Sequence, residues 1–317
     1  MKNSLESIAY EEVTGVGGKS YAALRRELKP AYSKVFKDLA KGYFFLLLVL
    51  ITDAILIQYG YFKTIIALPV SAVLLGYILA YLHLFIHAAA HYDIHPDKTK
   101  NDRISDLFIG VFFGIPVKRY RKIHWQHHTH LGTKDDSEHS YFNELNLLFL
   151  LKSITGIHTL SVIFSRAKTS SRLETPASSL YYNIYTVLIH AALLFVLYLS
   201  GGLLLVFTWL AALVIVFPVF ATIRQLMEHR DIHASGKVNY KDTDHGKVTR
   251  LFGDNLIDSS FGAAGFNKHL LHHWDPTISY TCLNEVENFL KNSPKTSGII
   301  RESRTSYLKT FIALFKF

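Results

Sequence analysis

The chain has 317 residues, half of them hydrophobic, a net charge of +9 and a single cysteine, Cys282. One cysteine excludes an internal disulfide framework and leaves too few thiolates for an iron–sulfur cluster held within the chain. The positive charge does not mark a nucleic-acid-binding surface, because Lys and Arg lie almost wholly outside the apolar blocks, as the positive-inside rule requires of a membrane protein.

Residues 1–43 mix charges of both signs and lack a cleavable apolar core, so no signal peptide is expected. Within them, 20–41 reads as one charged amphipathic helix lying on a surface, with Leu24, Leu28, Tyr32 and Phe36 recurring every four residues. Four stretches are long enough to cross about 30 Å of hydrocarbon: 44–62, 64–86, 181–199 and 203–223. They predict an all-α integral membrane protein of one domain, 1–317, with two transmembrane helical hairpins and therefore four spans. The outer turns are 59–63 and 200–202. Residues 1–43, 87–180 and 224–317, with nearly all the basic side chains and both termini, then form a cytoplasmic histidine-rich cap. Asp53, inside the first span, is costly unless it is paired, neutral or lining a cavity. Two shorter apolar stretches, 104–116 and 145–164, are expected to be interfacial or re-entrant, since a crossing by either alone would put some histidine clusters on the wrong side. Residues 166–179 read as the linker into the second hairpin.

Three histidine clusters stand beside these blocks: His87-Ala-Ala-Ala-His91, His124-Trp-Gln-His127-His128 and His269-Leu-Leu-His272-His273. Helical positions three and four apart share a face, so each cluster presents several ring nitrogens in one direction. Eight ligands exceed one metal's needs, and structural zinc sites favour cysteine; the pattern points to two histidine-bound metals, iron first among them. On the second apolar helix His83, His87, His91 and His95 recur at i+4 along one face until Pro96 ends the run. His229 by itself reads as a capping or solvated histidine.

Ordered as HxxxH, HxxHH and HxxHH around two hairpins, these boxes resemble those of the membrane fatty acid desaturase superfamily, which also holds hydroxylases and carotenoid oxygenases. The surroundings fit: Pro96 and Asn101-Asp102 follow the first box, Arg119-Tyr120-Arg121-Lys122 precedes the second and Asp135-Asp136 follows it, and Pro276 and Tyr280 follow the third. The stretch from Ile223 and Arg224 to Glu228-His229 resembles the family's arginine-to-Glu-His segment. The resemblance implies a non-haem di-iron centre held by His87, His91, His124, His127, His128, His229, His269, His272 and His273. Gln225, one turn before His229, either holds a water on one iron or packs as a polar residue between helices. His83 and His95 are expected to be structural, and His130 and His233 exposed or beside the ligands. Glu228, Asp102, Asp135, Asp136 and Asp275 are placed to receive ligand ring N–H groups, although each alone reads as a surface carboxylate. Two positions depart from the family pattern: three alanines fill the first box, and Gly265 stands where asparagine is frequent.

The function implied is an O₂-dependent desaturase acting on acyl-lipid or acyl-carrier chains in a bacterial inner membrane or the endoplasmic reticulum. Hydroxylases and carotenoid ketolases of the same superfamily share the first hydrogen abstraction, so the ligands do not separate them. A metal-transporting membrane protein, the alternative from another class, would carry ligands along a path within its spans, and a bis-histidine haem protein has no use for two HxxHH runs. Electrons must come from outside, from a ferredoxin or cytochrome b5. Lys118, Arg119, Arg121 and Lys122 could steer such an acidic carrier, or equally bind anionic lipid.

Overall fold

The computed structural model describes residues 5–61, 64–138, 140–161, 176–235, 237–238 and 243–316. The protein is mostly helical, and three helical runs are long and apolar enough to cross a membrane: Tyr32–Gln58, Ile66–Ala90 and Leu180–His229. The expected surface helix over 20–41 is instead two pieces. Helix α1 (Tyr21–Glu27), capped by the Ser20 hydroxyl, stops before Pro30, and α2 (Tyr32–Gln58) joins the rest of that segment to the first apolar stretch. Proline has no amide hydrogen and disfavours the helical conformation of Lys29, which outweighs the four-residue periodicity.

Helix α3 (Thr64–Ala90) runs back against α2. Asp53 of α2 accepts a hydrogen bond from Ser71 of α3 at 2.8 Å, and Gly42 lies against Tyr81 and Leu82, pairings centred near residue 62. Asp53 is thus a buried carboxyl held between helices. Of the first outer turn, residues 62–63 lie outside the described residues.

The chain then makes α4 (Lys98–Ser105), a π-turn over Asp106–Gly110, the short α5 (Val111–Phe113), α6 (Val117–His130) and α7 (Leu147–Ile154). The 104–116 stretch lies along α3 and ends where Gly114 turns the chain at φ 64°. On α7, Leu147, Leu148, Leu151 and Ile154 are exposed while Phe149 and Ser153 are buried. Of the expected linker, residues 166–175 lie outside the described residues.

The run after Pro176 is 50 residues from Leu180 to His229, about 75 Å if straight, more than twice the hydrocarbon thickness. It does not run straight. Within α8 (Pro176–Ala211), Gly201 (φ −151°, ψ 16°) and Gly202 (φ 65°, ψ −160°) break the helix, and the second of these conformations is open essentially to glycine alone. His190 Nε2 is 3.1 Å from the Val111 carbonyl, and the Phe217 ring, which begins α9 (Phe217–His229), is 4.7 Å from that of Phe113. A continuous helix would hold residues 190 and 217 about 40 Å apart; both touch 111–113, so the chain reverses at Gly201–Gly202. Gln58 donates to the Ser200 carbonyl, bringing the two bends together at one end.

The remaining helices, α10 (Leu256–Phe261), α11 (His269–Trp274), α12 (Leu283–Lys291), α13 (Ser297–Glu302) and α14 (Tyr307–Leu314), assemble at the opposite end. A two-residue parallel pair, Leu145–Asn146 with Phe315–Lys316, ties the chain's end to the start of α7. Beneath α11, the N-terminal side chains Leu5, Val13 and Tyr21 are fully buried with Leu270, Leu271 and Trp274.

Candidate metal centre

The first histidine pair sits where α3 ends. The His91 amide reaches back to the His87 and Ala88 carbonyls, Tyr92 turns left-handed at φ 63°, and the Asp93 amide also closes on Ala88. The Ala90 carbonyl, left without a helical partner, accepts from Arg121 Nε (2.8 Å), and the Ala89 carbonyl, which takes the Tyr92 amide, also accepts from Asn101 Nδ2 (2.9 Å) and Arg121 Nη2 (2.9 Å). The expected four-histidine stripe therefore stops at His91. His95 leaves the helix and accepts from the Asp97 amide, whereas His83 stays on α3 against the rings of Phe113 and Phe217. Arg121 is likewise no free member of a basic patch: it also pairs with buried Asp102 and locks α6 to the end of α3.

With α6 supplying His124, His127 and His128, α9 His229 and α11 His269, His272 and His273, all nine predicted histidines meet. They form two groups able to hold a metal: His87, His91, His124, His128 and His272; and His127, His229, His269 and His273. In the first, Nε2 atoms are separated by 2.9 Å (His91–His124), 2.9 Å (His124–His128) and 3.0 Å (His128–His272). In the second the spacings are 3.2 Å (His127–His229), 2.9 Å (His229–His269) and 3.2 Å (His269–His273). Two imidazoles at right angles around a metal about 2.0–2.1 Å away place their nitrogens about 2.9 Å apart. His87 is buried, yet among the described residues neither of its ring nitrogens has a hydrogen-bond partner, a cost that a bound cation removes.

Tautomers point the same way. His127 Nδ1 lies 3.0 Å from both Asp136 oxygens, and His229 Nδ1 3.0 Å from the Val248 carbonyl. Both partners only accept, so each ring carries its proton on Nδ1 and turns an Nε2 lone pair toward the other. Facing lone pairs repel unless a proton or a metal cation lies between them. Burial first, then neighbouring imidazoles, pull His128, His269, His272 and His273 well below the ordinary histidine pKa, keeping their lone pairs free. Burial acts likewise on His127, but the carboxylates of Glu138 and Asp136 outweigh it and hold its pKa above the usual value.

The carboxylates flagged beside the boxes mostly prove buried, not surface groups. Asp136 also accepts from Tyr141 Oη at 2.5 Å, and Tyr141 in turn accepts from the Gly132 amide. Glu228 pairs with Arg224 and Tyr307, and Asp275 with Tyr21 and Arg25; Asp135 alone is exposed. Gln225 bonds to Glu138 and to the Ser140 amide, so its amide is engaged by protein. The roles of Arg121, Tyr141 and the N-terminal segment carry no local sequence signal. Gly265, at φ 87°, starts the turn into His269, and a Cβ there would come within 2.6 Å of Tyr280; asparagine could not be accommodated without displacing that helix. His139 lies outside the described residues.

A cavity of about 280 Å³ opens onto both groups, touching His87 and His124 of one and His127, His229 and His269 of the other. Phe113, Ile115, Phe217, Pro218 and Ala221 line its apolar end. Tyr120 stacks on His124 and Phe266 on His269, holding those rings in place. A family model described as fatty acid desaturase matches residues 64–304, a span containing all nine histidines. Comparison with curated proteins gives no match. With about three-quarters of its length inside that match, and its histidine boxes gathered as two groups able to hold a metal, the chain belongs to the fatty acid desaturase family.

Proposed function

We propose that the protein is a membrane-bound, O₂-dependent oxidoreductase that introduces a double bond into the acyl chain of a lipid or acyl carrier, with two non-haem irons held by the nine histidines. The observation that carries this reading is the single cavity onto which both histidine groups open, apolar at its far end. When bound, the irons supply the oxidising power from O₂ that an unactivated methylene requires. The protein's part is position and dryness. Phe113, Ile115 and Phe217 hold a methylene pair against the metal end and exclude water, while Arg224 and Glu228, buried and 3.3 Å apart, face each other in the cavity wall. Lipid mass spectrometry of cells with and without the gene, run beside iron analysis of the purified protein, tests the reading. Loss of two hydrogens from an acyl chain is expected; gain of an oxygen would reassign the protein to the hydroxylase branch, and an unchanged lipid profile would end the proposal.

The same reading has four spans, with the bends at 59–61 and 200–202 outside and both termini and the metal centre cytoplasmic. The distribution of Lys and Arg supports it. Tags at either terminus or within 87–180 are then shielded from reagents applied to intact cells, and a tag beside Ser200 is reached. Labelling that puts the 87–180 segment and the C-terminus on opposite faces would remove the four-span arrangement. Electrons come from a separate one-electron carrier, a ferredoxin or cytochrome b5.

A further inference from the structure

The metal centre has a second face, turned away from the cavity and covered by α6. Along that helix Lys118, Lys122, Trp125 and Thr129 are exposed on one stripe, while Tyr120, Ile123, His124 and His127 are buried on the other. Trp125 is 38% exposed, unlike the chain's other tryptophans, Trp209 and Trp274, which are buried. Its ring centroid is 5.1 Å from that of His91 and 5.5 Å from that of His128. These are the two half-buried members of the first histidine group. One aromatic ring therefore spans the distance from solvent to two candidate ligands.

The surface around it is basic. Lys122 lies one turn before Trp125, Lys118 one turn further back, and Lys98 stands over the Tyr92 ring at 4.8 Å. Of the nearby acids, Asp102 is buried against Arg121 and Asp97 caps α4. Another approach to the centre, a groove beside His128 and His273, is bordered by both Glu11 and Lys247 and so favours neither sign of charge.

We propose that Trp125 is the point at which reducing electrons pass into the metal centre, from a one-electron carrier protein whose acidic face docks on the collar of Lys98, Lys118 and Lys122. This rests on the desaturase reading above. Removing one hydrogen from each of two adjacent methylenes while O₂ becomes two waters takes four electrons: two from the broken C–H bonds and two from outside. Two carriers are each oxidised by one electron per turnover, two protons are consumed, and Trp125 ends unchanged. Electron transfer weakens steeply with distance, so a ring touching two ligands is the short route. The collar raises the encounter rate and sets the carrier's orientation.

The test uses the full-length, metal-loaded protein in detergent, with the soluble haem domain of cytochrome b5 and a plant-type ferredoxin as probes. Stopped-flow reduction is compared for the parent, Trp125→Leu, Trp125→Phe and the double variant Lys98→Glu/Lys122→Glu. Trp125→Leu is expected to keep its iron and its reduction by dithionite, yet to lose several-fold in the limiting rate at saturating carrier, with Trp125→Phe recovering part. The double variant is expected to lose about tenfold in association rate at low salt, a gap that closes at high salt. Quenching of Trp125 fluorescence by the bound haem domain, read against Trp125→Phe, reports docking without turnover and also in metal-free protein. Parent-like carrier kinetics in both Trp125→Leu and the double variant would overturn the proposal, including the case where they instead lose affinity for phosphatidylglycerol vesicles, which would make this face a membrane contact. A protein that makes its unsaturated product with those kinetics unchanged would sink this inference alone; one without iron or product would sink the desaturase reading.

Discussion

Alanine in place of any one of His124, His127, His128, His269, His272 or His273 is expected to abolish turnover and to release metal from the group that the residue serves. Each substitution removes one Nε2 from a set spaced 2.9 to 3.2 Å apart. The groups are unequal, and the effect should follow. The first keeps four histidines after a loss and the second only three, so His273→Ala or His269→Ala gives up its metal to a chelator before His128→Ala or His272→Ala does. His233, exposed and in neither group, serves as the control. His245 does not: it is buried against the rings of Tyr141 and Phe142, and its removal would disturb the shell around Asp136. Metal content per chain across the series decides the matter, and a His128 or His273 variant that kept the parent's metal and turnover would remove those residues from the centre.

What could be read from the sequence was periodic or local. The HxxHH runs place three nitrogens on one helical face whatever surrounds them, and Gly201–Gly202 marks a reversal because glycine alone tolerates the dihedrals of Gly202. His229 has no such pattern, being a single residue at a helix end; only likeness to a family singled it out. Features that depend on distant segments left no trace. Nothing near Tyr92 announces that α3 stops one residue before His91, because the groups that satisfy its last carbonyls, Asn101 and Arg121, come from later helices. A basic run such as Lys118–Lys122 reads as surface, yet its third cation is used as an internal clasp. The N-terminal segment precedes the span matched to the family, and its Tyr10 and Tyr21 pack on Trp274, just beyond the third box, across more than 250 residues of chain. Pro30 was visible, but the periodicity around it read straight through the break that it imposes.

Asp136→Asn is the sharper test of how the second group is held. The Asp136 carboxylate takes the Nδ1 proton side of His127 at 3.0 Å while receiving the Tyr141 hydroxyl and the Glu138 amide. A charged acceptor at that position makes His127 a more basic ligand and keeps its Nε2 lone pair aimed at the site. Asparagine has nearly the same shape but no charge, and one of its two terminal atoms becomes a donor facing Tyr141 or His127. Weaker metal binding by about 10- to 100-fold is expected, the range found when the partner of a ligating histidine is altered. The loss should be confined to the group of His127, His229, His269 and His273, because the first group's ring His124 faces a different carboxylate, Glu138, at 3.6 Å. Titration with a chelator would then show one metal leaving early and the other leaving as in the parent. Tyr141→Phe, which keeps the carboxylate and removes only its hydroxyl partner, is expected to move the early step much less. Equal loss from both groups, or parent-like retention in both, would mean that Asp136 does not tune His127.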